Sequence, residues 1–213
     1  MPLAYPFTPR LLGPFCRRYP GVDVSLEVTN RERVLERLVD NLDDLYILGQ
    51  PPEDIDVESR PFLENPLVVL APRDHPLVDE TTVPLERLAE EPLVMRESGS
   101  GTRKAVERLF EARGLAIKVR MELGSNEAIK QGIIGGLGLS VLSRHTLVLE
   151  VATGQLAILN VEGFPIQRYW YVVYPAGKQL SVVASAFLAY LQGEGQQIAV
   201  AALIDGGTRS AAS

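Results

Sequence analysis

Cysteine is almost absent from this sequence: Cys16 is the only one in 213 residues. A single thiol excludes an intrachain disulfide and a thiolate metal cluster. Histidine is nearly as scarce. His75 and His145 each fall in an expected turn or helix, with no serine, cysteine or carboxylate arrangement that would make either a catalytic base. No apolar run approaches a membrane span, and the opening Met-Pro-Leu-Ala-Tyr-Pro lacks a basic and then apolar secretory signal. Basic charge is outnumbered, 21 Lys and Arg against 27 Asp and Glu, for a net charge of −6. That balance argues against a chain that grips nucleic acid with its own basic face. There is no Gly-x-x-x-x-Gly-Lys loop and no Gly-x-Ser-x-Gly elbow. What is present is an ordinary globular composition, 46% apolar and 23% charged. The length allows one large domain or two lobes of about a hundred residues each. A cytoplasmic setting, no cofactor, no metal and no membrane partner are the expectations.

Hydrophobic periodicity orders the chain. Leu11, Leu12, Phe15, Cys16 and Tyr19 mark an amphipathic helix that stops at Tyr19-Pro20-Gly21. Val22, Val24, Leu26 and Val28 alternate with polar residues and predict a strand with one wet face. Thr29-Asn30 is a good N-cap for a helix striped by Val34, Leu35, Leu38, Val39 and Leu42. Short strands are expected at 45–48, 57–63, 66–72, 93–96 and 156–159, and a strongly β-prone run at Tyr169–Tyr174. Helices are expected at 84–89, from about 105, at 143–149 and across Val182–Leu191. The acidic cluster Asp40–Asp44 is expected to be a solvated face, and Gly206–Ser213 a frayed end.

The plan occurs twice. Val24-Ser-Leu-Glu-Val28-Thr-Asn-Arg-Glu32 aligns without a gap to Val119-Arg-Met-Glu-Leu123-Gly-Ser-Asn-Glu127. Leu11 and Phe15 match Val106 and Phe110, and Val34, Leu38 and Val39 match Ile129, Ile133 and Ile134. Leu45–Leu48 is answered by Leu139–Leu142, one residue out of step. A repeat on this scale predicts two similar α/β lobes, the alternative being chance likeness between two amphipathic βα units. The counterpart of the strand at 93–96 would fall at positions −2 to 1. The first lobe is therefore expected to lack its opening strand and turn, through a cut or a misassigned start, with Met1–Tyr5 a poor substitute.

The chemistry concentrates at Arg96-Glu97-Ser98-Gly99-Ser100-Gly101-Thr102-Arg103, where a short buried strand becomes a helix. Unpaired backbone N–H groups and the positive end of a helix dipole favour an anion there, and Arg96 and Arg103 add charge. Plain helix capping by the serines is the alternative reading. In open α/β lobes ligands sit at the carboxyl ends of strands. Two further ends carry suitable residues: Thr29, Asn30 and Arg31, and Ser125 and Asn126 after Gly124. Lys130 follows one helical turn after Asn126; taken alone, it reads as a solvated surface lysine. If the lobes face one another, these groups converge on a small carboxylate or phosphate.

Several motifs resemble the effector-binding domain of LysR-type transcriptional regulators. They are Arg18-Tyr-Pro-Gly-Val22, Arg31-Glu followed by Leu35-Glu-Arg-Leu38, Ala71-Pro-Arg-Asp-His-Pro-Leu77, Gly135-Gly-Leu-Gly-Leu-Ser-Val-Leu142 and Trp170-Tyr-Val-Val-Tyr174. Pro61–Leu67, Arg96–Arg103 and Glu122–Gln131 look most like the branch that controls carbon dioxide fixation operons. The resemblance runs from about Pro9 to Leu191. It implies a type-2 periplasmic-binding-protein-like fold, two lobes joined by two crossing strands with an effector in the cleft. The lobes would be 1–72 plus 167–193, and 73–166, with 194–213 as a tail. The family's effector contacts map onto Thr29–Arg31, Ser98–Arg103 and Ser125-Asn126, and the carbon-fixation branch implies a phosphorylated metabolite. The resemblance also implies a homo-oligomer, dimer or tetramer. DNA would be bound only through an N-terminal helix-turn-helix that this chain lacks, and the missing first-lobe strand implies weakened effector affinity.

The leading expectation is thus ligand sensing without catalysis. The alternatives are a two-lobed enzyme acting on an anionic substrate, with Glu97 or Glu127 as its acid or base, and a solute-binding protein.

Overall fold

The computed structural model describes residues 8–195 and 197. In chain order the elements begin with helices α1 (Thr8–Arg18) and α2 (Arg31–Val39) and strands β1 (Tyr46–Leu48), β2 (Val57–Glu64) and β3 (Leu67–Pro72). Then come α3 (Leu85–Ala89), β4 (Leu93–Arg96), α4 (Gly101–Ala112), β5 (Val119–Leu123) and α5 (Asn126–Ile134). The chain closes with β6 (Ser140–Ser143), α6 (Val148–Ala152), β7 (Leu156–Leu159), β8 (Tyr169–Pro175) and α7 (Val182–Gln192). This is the mixed α/β class expected, and it divides into two compact units. One is Asn65–Arg168; the other is built from the segments on either side, up to Glu64 and from Tyr169. The sequence divides the lobes at 72/73 and 166/167, whereas strand pairing draws β3 into the middle of the inserted unit.

In the unit Asn65–Arg168, β3 pairs antiparallel with β6 on one side and β7 on the other. β4 and β5 pair in parallel, and a parallel bridge from Leu93 to Leu139 joins them to the entrance of β6. Both faces of β3 are covered, which is why it reads as an unbroken apolar run rather than an alternation. Leu67, Val69 and Ala71 pack with Val106 and Phe110 of α4, whereas Val68 and Leu70 pack with Ile129 and Ile133 of α5. Gly138 makes the β4–β6 approach possible. Its φ is +139°, and a Cβ there would lie 2.2 Å from the Pro92 carbonyl oxygen.

In the other unit β8 is the central strand of an antiparallel sheet, β1–β8–β2. Trp170, Val172 and Tyr174 face Leu11 and Phe15 of α1 and Leu188 and Leu191 of α7. Val173, on the opposite face, packs with Leu38, Tyr46 and Leu48. The Tyr190 hydroxyl donates to the Leu11 carbonyl at 3.1 Å, fastening α7 to α1.

Two expected elements form differently. Residues 22–28 are no strand: they make no ladder with any described residue, and Val24 and Leu26 are exposed. Their repeat partner, β5, is held by β4. The helix expected at 143–149 instead begins as the end of β6 and a single 3-10 turn, Arg144–Thr146, before α6. Ser143 is drawn into the sheet by its register opposite Leu67. Met1–Tyr5 and Gly206–Ser213 lie outside the described residues.

Candidate functional site

One edge of the sheet in the unit Asn65–Arg168 gathers its polar chemistry. β4, β5 and β6 run parallel, so their carboxyl ends share that edge. The loops that leave it carry Ser98–Thr102, Ser125-Asn126 and Ser143. β3 runs the other way, so its amino end, with Asn65 just before it, lies at the same edge. α4 starts there too. Gly99, at φ +83°, turns the chain into the helix, and the Ser100 N–H donates to the Glu97 carbonyl at 3.2 Å.

Ser100 is the N-cap of α4, yet its hydroxyl makes no capping bond. The side chain is 1% exposed, and Oγ has no hydrogen-bond partner among the described residues. Thr102 is likewise buried, at 2%. Plain capping therefore does not account for this serine. Ser125 contrasts with it, since its hydroxyl accepts the Ala128 N–H at 3.2 Å and caps α5 in the ordinary way.

The three cations expected to greet an anion are engaged elsewhere. Arg96, 2% exposed, grips both carboxylate oxygens of Glu97 at 2.7 and 2.8 Å and donates to Asn126 Oδ1 at 2.9 Å. It thereby ties the end of β4 to the start of α5. Arg103 pairs with Glu107 at 2.7 Å and Glu122 at 2.5 Å and donates to the Arg96 carbonyl. Those carboxylates, Glu107 first, hold its guanidinium above its already high range. Lys130 is buried, not the solvated surface lysine that its position alone suggests. It pairs with Glu150 at 2.5 Å and Glu127 at 2.8 Å. Burial is the largest single influence on its pKa and pulls it down, but the bonds and charges of Glu127 and Glu150 together outweigh it and raise the pKa. In return, Lys130 lowers the Glu127 pKa.

Three residues that the sequence did not single out complete the edge. Arg168 is 9% exposed, and its Nη1 donates to the Gly101 carbonyl at 3.1 Å, which puts a guanidinium at the first turn of α4. Its own carbonyl accepts the Asn65 N–H at 2.7 Å. Asn65 is fully buried, and neither Nδ2 nor Oδ1 has a partner among the described residues. Ser143, 4% exposed, likewise has an unpartnered Oγ. A buried polar group left in that state costs about 1–3 kcal/mol, and Ser100, Asn65 and Ser143 all lie on this one edge. Asn-Pro reads locally as a turn and a serine after a strand as a cap, so neither announces its burial in the sequence.

Thr29, Asn30 and Arg31 belong to the other unit. The Asn30 side chain accepts the Arg33 N–H at 2.9 Å, capping α2, and Arg31 donates to the carbonyls of Gln50 and Pro51. Thr29 is partly buried. Among the described residues, no group of His, Cys, Asp and Glu is placed to hold a metal ion. None of their helices is long and apolar enough to cross a membrane.

Comparison with known proteins places this geometry. The HTH-type transcriptional activator CmpR of Synechocystis sp. is 56% identical over 195 residues, which cover 92% of this chain and 64% of that protein. The RuBisCO operon transcriptional regulator of Acidithiobacillus ferrooxidans is 55% identical over 185 residues, covering 87% and 60%. The chain thus spans less than two thirds of the length of these regulators. Among solved structures, the Synechocystis PCC6803 CcmR regulatory domain in complex with 2-PG superposes with a TM-score of 0.87 at 55% identity. That match covers 91% of this chain and 93% of the other. The effector-binding domain of QuiR in complex with shikimate shares the fold, with a TM-score of 0.79 at 19% identity. The fold is the two-lobed, periplasmic-binding-protein-like one, and the relatives are transcriptional regulators rather than enzymes. Residues 1–196 match the LysR substrate binding domain, and the chain belongs to that family.

Proposed function

We propose that this chain is the effector-sensing part of a LysR-type regulator of carbon-fixation genes and that its effector is a small phosphorylated anion. The phosphate is received at the start of α4 by first-turn N–H groups and the hydroxyls of Ser98, Ser100 and Thr102, with Arg168 adding charge. The observation that carries the reading is Ser100, a buried N-cap hydroxyl without a partner at the positive end of a twelve-residue helix. The complex of the related CcmR domain with 2-PG supports a phosphorylated ligand. Arg96, Arg103 and Lys130 hold the walls of the site through their carboxylate partners; Ser125 and Asn126 shape its rim.

Operator binding is assigned to the part of the relatives' length that this chain does not cover, in keeping with a net charge of −6. The protein works in the cytoplasm as a homo-oligomer, dimer or tetramer. Sensing requires the effector to bind one conformation better than another, so that occupancy shifts the population the oligomer presents to DNA. Titration calorimetry with 2-PG tests the reading. Ser100→Ala combined with Thr102→Val is expected to weaken binding by at least about tenfold, the loss of one or two charge-assisted hydrogen bonds. Unchanged affinity in that double variant would sink it.

A further inference from the structure

Asn65 and Ser143 have no task in the phosphate end of this site, yet both bury unpartnered polar atoms. Their placement is well defined. Leu67, Val69 and Ala71 of β3 face α4, and the Asn65 and Leu67 N–H groups donate to the Arg168 and Ile166 carbonyls in one continuing ladder. Strand alternation therefore turns the Asn65 side chain to the α4 face. Leu139 and Val141 also face α4, so Ser143 points the same way, and its register partner is Leu67. The two side chains thus lie on the face that α4 covers, at the edge where α4 begins.

Resting on the phosphate reading above, the geometry points to Asn65 and Ser143 as the specificity-determining half of the site, reading a hydroxyl group on the effector. Nδ2 of Asn65 needs an acceptor and Oδ1 needs a donor, and the Ser143 hydroxyl can serve as either. A carboxylate only accepts and would leave Oδ1 orphaned; an alkyl group would leave every atom so. A hydroxyl both donates and accepts. The preferred ligand class is a phosphate ester bearing a hydroxyl on a neighbouring carbon. A site built to bond a hydroxyl discriminates strongly against the analogue that lacks it, because its own buried groups then stay unpaired.

The test compares two probes by calorimetry: glycerol 3-phosphate, with hydroxyls, and ethyl phosphate, without them. The wild-type chain is expected to bind glycerol 3-phosphate at least about tenfold tighter. Ser143→Ala and Asn65→Ala should each bring that ratio towards one. Melting without ligand separates this role from a structural one. Ser143→Ala removes an orphaned hydroxyl and should melt no lower than wild type, and a drop in melting temperature with an unchanged ratio would overturn the assignment. A wild-type ratio near one would also overturn it. Failure of the phosphate reading looks different: neither probe binds the wild type, or Ser100→Ala leaves ethyl phosphate affinity intact.

Discussion

Val119–Leu123 and Val24–Val28 are two copies of one pattern with different fates. Both alternate apolar and polar residues, and the apolar positions are similarly exposed, Val119 at 43% and Met121 at 41% against Val24 at 41% and Leu26 at 42%. The first is β5, in parallel register with β4; the second makes no ladder among the described residues. Alternation marks a segment as able to pair. It supplies no partner, and an extended chain without one has only solvent for its amides. The helices that follow diverge in the same way. α5 buries Ile129, Lys130, Gly132 and Ile133 beneath a two-sided sheet, while α2 buries Leu38 alone. At the position where α2 carries Leu35, packed against the cluster around Leu38, α5 carries Lys130 between two glutamates.

That last difference offers the sharpest way to break the comparison. Lys130→Leu imports the residue of the other unit and strands Glu150, which is 5% exposed, without its cation. The expected loss is about 3–5 kcal/mol, seen as a fall in melting temperature. Adding Glu150→Leu should restore most of it, because the buried pair is then replaced by packing; no recovery would mean that the ion pair itself holds α5 to α6. Next in size, Gly138→Ala should cost about 2–4 kcal/mol through collision with the Pro92 carbonyl and a backbone angle that side chains avoid. A neutral result in urea unfolding would show that β6 can enter by another path.

Hydrogen exchange sharpens the contrast without mutation. Amides of Val119–Leu123 that bond to β4 should exchange at least about a hundredfold more slowly than those of Val24–Val28. Equal rates would mean that the second segment pairs after all. The smallest effect concerns pH. The Glu127 pKa is lowered by Lys130, so its contribution is present above the ordinary carboxylate range and fades as pH falls through the lowered value. The Lys130 pKa is raised, so its contribution holds below the ordinary lysine range and is lost as pH rises through the raised value. Glu127→Gln should therefore make the acid limb of the melting curve shallower and leave the neutral plateau nearly unchanged, since its side chain is 56% exposed.

Much of the fold was legible because periodicity reports which face is buried. The stripes of Val106 and Phe110 and of Ile129 and Ile133, and the unbroken run of β3, all reached the core. The candidate site was legible only in outline. The turn at Ser98–Thr102 stands out by its glycines and hydroxyls, but the ion pairs of its cations do not. Arg96, Arg103 and Lys130 suggest anion binding by type, while their carboxylate partners lie as many as 20 residues away in sequence. Asn65, Ser143 and Arg168 escaped notice because nothing local distinguishes a buried polar side chain from a turn residue; their meaning comes from strand direction and register.

The bond from Tyr190 to the Leu11 carbonyl closes a unit whose halves are separated by more than a hundred residues of chain, whereas Asn65–Arg168 is continuous. During synthesis the continuous part can complete its core once the chain through Arg168 has emerged. The interrupted part must wait, with Trp170 and the face of α7 still to come, holding the apolar stripe of α1 uncovered in the meantime. Within this unit, the part that precedes Asn65 is thus left longest without its core partners. A slow stretch of translation before Trp170 and α7 have emerged would lengthen that exposure.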